Sequence, residues 1–175
     1  MLTSKRELAK TIVVTFCLAT LLLGCANTPT ALSETNEVNR VRQAAEQWKS
    51  YYEANDYDGL MTLYTDNPRV YLHGQPGLVG MQAVRDYFKP RVGVGKATFE
   101  LDYETIEVYG DLAILVSKYW LTLKMDDSDT PIRDQGRSML IYAKDANNDW
   151  KIAFDIDQAT PDVNWIKKEL LEKTY

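Results

Sequence analysis

"TFELDYETIEVY", residues 98–109, alternates apolar and polar side chains, but the alternation changes phase midway. Phe99, Leu101 and Tyr103 occupy odd positions, whereas Ile106 and Val108 occupy even ones. Side chains alternate across a strand with a period of two, so a strand that keeps one face buried must take in an extra residue where the phase slips. The neighbourhood of Glu104 is the place for it, and a β-bulge there would bend the strand. The stretch predicts a curved antiparallel sheet.

The sequence around it extends that sheet. Gly110-Asp111 suits a two-residue hairpin turn with glycine in the first central place. "LAILVSKYWLTLK" (112–124) is apolar on both faces in its first half, as expected for a strand with neighbours on either side. "IRDQGRSMLIYAK" (132–144) and "WKIAFDID" (150–157) supply two more strands, separated by the polar turn "DANND". "DDSDT" (126–130) lacks the glycine and terminal Glu of a calcium-binding loop and reads as a solvated turn.

Upstream the period is helical. Val38, Val41, Ala45, Trp48 and Tyr52 fall on one face, with Asn36 or Thr35 as the cap. "DYDGLMTLYTDNP" offers Asp56 as a cap, a face of Tyr57, Leu60, Met61 and Tyr64, and Pro68 as a stop. "RVYLHG" reads as a short strand and "MQAVRDYF" as a third helix. A last helix is expected from "TPDVNWIKKELLEK", with Pro161 in its first position.

The chain has 175 residues, about one domain, and a formal net charge of −5. Without residues 1–24, which hold three of the 20 basic and one of the 25 acidic side chains, the balance moves to −7. No basic stripe is present, so a nucleic-acid partner is not expected. "MLTSKRELAK" followed by "TIVVTFCLATLLL" is a cationic opening and a 13-residue apolar run. Such a run is shorter than the roughly 20 residues that span a bilayer, and fits a signal-peptide core. Its end, Leu22-Leu23-Gly24-Cys25, resembles the lipobox of bacterial lipoprotein precursors. That resemblance implies cleavage between Gly24 and Cys25 and acylation of Cys25. Cys17 lies in the leader, so the exported chain has no second cysteine with which Cys25 could form an internal disulfide. "ANTPTALSETN" (26–36) reads as a tether. Ala26, where Asp would favour the inner membrane, implies the outer membrane, facing the periplasm. The expected organisation is leader 1–24, acylated cysteine and tether 25–36, domain 37–160 and helical tail 161–175.

"YDGLMTLYTDNPRVYLHG", "GLVGMQAVRDYF", "VYGDLAILVSKY", "GRSMLIYAK" and "DWKIAFD" follow one another in an order and spacing that resemble the NTF2-like superfamily, in its SnoaL-like and DUF4440 branches. The likeness covers residues 38–158. It implies an α+β cone, a bent sheet wrapped around about three helices with a pocket at the open end, often dimeric through the sheets. In ketosteroid-isomerase-like members a carboxylate after the second helix takes the substrate proton. Leu72 stands at the matching position, and no Asp or Glu lies between Arg69 and Gly74.

Other residues could carry chemistry. His73, the single histidine, could act as a base or ligand contact, or pack at a strand end. Strict alternation along 150–157 puts Asp155 and Asp157 on one face with Lys151 and Ala153, opposite Trp150, Ile152, Phe154 and Ile156. That face is either solvated or lines the pocket as a close acid pair. Asp155 matches an acidic position usual in the family; at Asp157 relatives usually carry an aromatic. Arg137 could pair with Asp155 across strands or bind an anion. Tyr71 and Tyr119, with Trp48, Tyr52 and Trp120, are core or pocket lining. No cluster of His or Cys points to a metal, and no phosphate-binding glycine loop points to a nucleotide cofactor. The expected function is a membrane-anchored envelope protein whose pocket binds a small apolar or amphipathic molecule. The alternatives are an isomerase, cyclase or dehydratase using His73 or Asp155, and an interaction module dimerising through its sheet.

Overall fold

The computed structural model describes residues 31–172. The leader, the lipobox and Cys25 lie outside the described residues. The order of elements is α1 (Ala31–Glu53), α2 (Tyr57–Met61), β1 (Tyr64–Tyr71), β2 (Leu78–Val79), α3 (Met81–Phe88), β3 (Gly95–Tyr109), β4 (Leu112–Met125), β5 (Ile132–Lys144), β6 (Trp150–Gln158) and α4 (Trp165–Glu172).

The six strands form one curved, open sheet in the order β2-β1-β6-β5-β4-β3. Only β1 and β6 pair in parallel. The bulge stands where the phase slip puts it: Tyr103 faces Ser117 and Thr105 faces Val116, leaving Glu104 as the extra residue. Gly110, with φ 64°, closes the β3–β4 hairpin. Positive φ at the first central residue and not at Asp111 is the pattern of a type II′ turn. β4 is flanked by β3 and β5, which accounts for apolar side chains on both its faces.

Helices α1 to α3 fill the concave side. Val41, Leu60, Val70, Val84, Leu115 and Ile152 are completely buried there and form one core. Each such side chain contributes about 1.5–3 kcal/mol relative to exposure.

Three boundaries differ from the sequence expectation. α1 begins at Ala31, so residues 31–36 of the expected tether are helical. Ala31 and Leu32 are good helix formers and Glu34 lies in the first turn, where an acid complements the dipole. α2 ends at Met61, capped by the Asp56 carboxylate, which accepts from the Gly59 N–H at 2.8 Å. Tyr64 is therefore the first residue of β1, and Pro68 lies within that strand, at its irregular pairing with β6. Finally, residues 160–164 form a turn, with Val163 N–H donating to the Thr160 carbonyl, and α4 starts four residues after Pro161. Among the described residues no helix is long and apolar enough to cross a membrane.

Candidate functional site

A second bulge, on β6, determines what the cavity contains. Tyr142 faces Ile152 and Ile141 faces Phe154, so Ala153 is an extra residue. The phase reverses there, and Asp155 and Asp157 point to the concave side together with Ile152. This corrects the strict alternation, which set the two acids opposite Ile152 and Trp150.

The cavity between helices and sheet measures about 160 Å3. That is close to the roughly 150 Å3 of an apolar cavity that accepts benzene. Trp48 and Tyr52 of α1, Tyr87 and Phe88 of α3 and Phe99 of β3 form its aromatic side. Trp48 stacks on Tyr52 at 5.3 Å and meets Phe99 edge-on at 5.4 Å. The sheet adds polar groups among Leu101, Leu115, Leu121 and Leu140. Ser117 and Ser138 share a hydrogen bond of 3.1 Å, and Asp134, Asp155 and Asp157 contribute carboxylates.

Asp155 is 7% exposed, a rare setting for a carboxylate. Burial, aided by the charge of Asp157, pushes its carboxyl up to about 7. The Trp48 indole N–H donates to the Tyr64 hydroxyl at 2.9 Å, and that hydroxyl donates to Asp155 Oδ2 at 3.4 Å. Because Tyr64 receives from Trp48, its own proton is directed to Asp155. This bond favours the charged acid and offsets part of the burial effect. Asp157 is half-buried and also raised, first by desolvation. It accepts from the His73 backbone N–H at 2.5 Å and from the Tyr119 hydroxyl at 3.4 Å. Burial and then the charges of Asp157 and Asp134 push the Tyr119 phenol far up, so Tyr119 is a donor at any working pH.

The expected site residues divide accordingly. Leu72, Tyr119, Asp155 and Asp157 line the cavity. His73 is exposed and not part of the lining; only its main-chain N–H reaches a lining residue, Asp157. Tyr71 is 40% exposed, on the convex face beside Ile156. Arg137 does not pair with Asp155, whose cross-strand neighbour is Leu140. Instead its guanidinium binds Glu104 at 2.6 and 3.1 Å and Asp162 at 2.7 Å, because the bulge at Glu104 and the turn after β6 bring both acids to it. Trp120 is also outside the cavity, with its indole N–H buried and unpartnered. Sequence reading missed Asp134, although it shares parity on β5 with the inward residues Tyr142, Leu140 and Ser138. It also missed the Trp48–Tyr64 relay, which joins elements distant in sequence.

Residues 41–154 match the family model of the SnoaL-like domain, and the chain belongs to that family. The fold is that of the NTF2-like superfamily. A ketosteroid isomerase-like protein of Erwinia carotovora atroseptica superposes with a TM-score of 0.62 at 16% identity, covering 69% of this chain and 94% of its own. A protein of Streptomyces avermitilis described as a candidate dehydratase of the NTF2-like family gives 0.64 at 15% identity, covering 72% and 97%. A nuclear transport factor 2-like superfamily protein of Salmonella enterica serovar Typhimurium gives 0.63 at 20%, covering 71% and 92%. At these identities the likeness concerns the fold. No curated protein matches the sequence.

Proposed function

We propose that the domain takes a small, largely apolar ring compound and moves a proton on it, as an isomerase or dehydratase does, with Asp155 as the acid/base. The observation that carries this reading is a carboxyl buried in a ring-sized cavity and brought to a pKa of about 7. A group that titrates near the working pH accepts and returns a proton most effectively. Tyr64 stabilises the carboxylate when the proton leaves, and Tyr119 is placed to donate to an oxygen that gains charge. The lack of an acid at Leu72 speaks for a pure binding module; Asp155 supplies an acid from β6 instead.

The test is the conversion of 3-cyclohexenone to its conjugated isomer, followed by absorbance. The rate is expected to rise with pH through about 7. It should vanish in Asp155→Asn and persist in His73→Ala. A rate equal to buffer alone, or one that survives Asp155→Asn, contradicts the assignment.

The setting of this chemistry is also a proposal. The lipobox supports attachment to the outer membrane through acylated Cys25, with the domain in the periplasm. Tyr71, Ile156 and Met139 adjoin one another on β1, β6 and β5, each at least 36% exposed, which supports a second copy packing on the convex face. Sedimentation of wild type as a dimer and of Met139→Glu as a monomer is the expected result.

A further inference from the structure

The lining of the cavity is unbalanced in charge. Asp134, Asp155 and Asp157 contribute three carboxyl groups, of which Asp155 keeps its proton up to about pH 7, and among the described lining residues the cation is Arg91. Arg91 is already engaged with a lining residue: its guanidinium lies 3.9 Å from the Tyr87 ring centroid, and Nη1 donates to the Tyr87 carbonyl at 2.7 Å. Asp157 is held by one backbone N–H and one phenol, with no ion pair among the described residues. Nor do the three acids form a chelate, since no group of three His, Cys, Asp or Glu among the described residues is placed to hold a metal ion. The cavity thus presents carboxyl groups together with the rings of Tyr52, Phe99 and Tyr119, the Tyr87 ring being covered by Arg91. Both features attract a soft organic cation, the carboxylates by charge and the rings by their quadrupole.

We propose that the molecule this pocket takes is a small monocation, a ring or short apolar body bearing a protonated amine, with the nitrogen seated between Asp157, Asp134 and the surrounding rings. The inference rests on the small-molecule reading of the same cavity and names the class of ligand. An anion would meet net negative charge, and a neutral ring would leave half-buried Asp157 with only the attraction of His73, which lies outside the lining. The amine also acts on Asp155. The groups facing that acid are Asp157 on β6, Tyr64 from β1, Tyr142 from β5 and Tyr119 from β4, none of them cationic. An arriving cation favours the ionised carboxylate, so ligand binding below about pH 7 expels the proton from Asp155 and makes it a base.

Three probes of one shape separate the possibilities: benzylamine, benzyl alcohol and benzoate, each titrated calorimetrically into the full chain in detergent at pH 6 and 8. Benzylammonium should bind about tenfold or more tighter than benzyl alcohol, with benzoate weakest. Its affinity should rise with pH and its binding at pH 6 should release protons to the buffer. Asp134→Asn and Asp157→Asn should each narrow the preference. Equal affinity for the amine and the alcohol, or a preference for benzoate, overturns the cation proposal and leaves the small-molecule reading standing. Failure of all three to bind a chain that melts normally overturns both.

Discussion

The Tyr64 hydroxyl, at the first residue of β1, donates to the Asp155 carboxylate across 3.4 Å while it accepts from Trp48. One phenol thus joins the aromatic wall of the cavity to its buried acid. Tyr64→Phe removes the only side-chain donor to Asp155 among the described residues and leaves the Trp48 indole N–H unpaired. Denaturant unfolding should show a loss of about 1–3 kcal/mol, the usual cost of an orphaned buried group. Unchanged stability would mean that the relay does not hold in solution.

Asp155 also sets a sign for the dependence of stability on pH. Its carboxyl, ordinarily near 3.8, rises to about 7 in the fold, so between those limits the native state binds the extra proton. Its contribution to stability is present below pH 4 and is lost as pH rises towards about 7. Salt-bridged acids such as Asp162, held down by Arg137, slope the other way at lower pH. The comparison of wild type with Asp155→Asn isolates the contribution of this carboxyl. The variant should gain on the wild type by on the order of 2–4 kcal/mol between pH 4 and 8. A constant difference would place the acid in water.

Gly136 is required by a close approach of strands. A Cβ there would lie 2.4 Å from the Gln158 carbonyl oxygen and 3.1 Å from the Tyr119 hydroxyl. Gly136→Ala must push apart β5 and the end of β6, displacing the phenol that donates to Asp157. Overpacking of this kind costs about 1–3 kcal/mol. Thermal melting should register it, together with weaker binding of any cavity ligand.

For the anchor, Cys25→Ser is decisive. Labelled palmitate should enter the wild-type chain in a bacterial host and not the variant, which should also leave the detergent phase. Equal labelling of both would refute acylation at this position.

Much of the fold was legible, because curvature leaves a trace where one strand face is polar. On β3 the acids Glu100, Asp102 and Glu107 mark the solvent side, so the slip near Glu104 is visible. On β6 the same device is hidden. Phe154 and Ile156 are apolar although they lie on the convex face, so Trp150, Ile152, Phe154 and Ile156 appear to alternate without a break. The bulge at Ala153 carries Asp155 and Asp157 inward without disturbing that pattern. An aromatic at the spacing of Tyr64 suits α2 as well as a buried strand end, so the pattern alone extends the helix to it. Strand adjacency leaves Arg137 either Asp155 or an anion as a partner, but its partners come from a bulge and a turn that bring distant carboxylates to it.

Asp155, a buried acid that titrates near neutrality, is the centre of the site. Carboxyl 13C chemical shifts of the domain, recorded from pH 3 to 9 and assigned with Asp155→Asn, measure its titration directly. A midpoint at about 7 for Asp155, well above the exposed aspartates, is the predicted result. A midpoint near 4, the ordinary value for an aspartate in water, would contradict it.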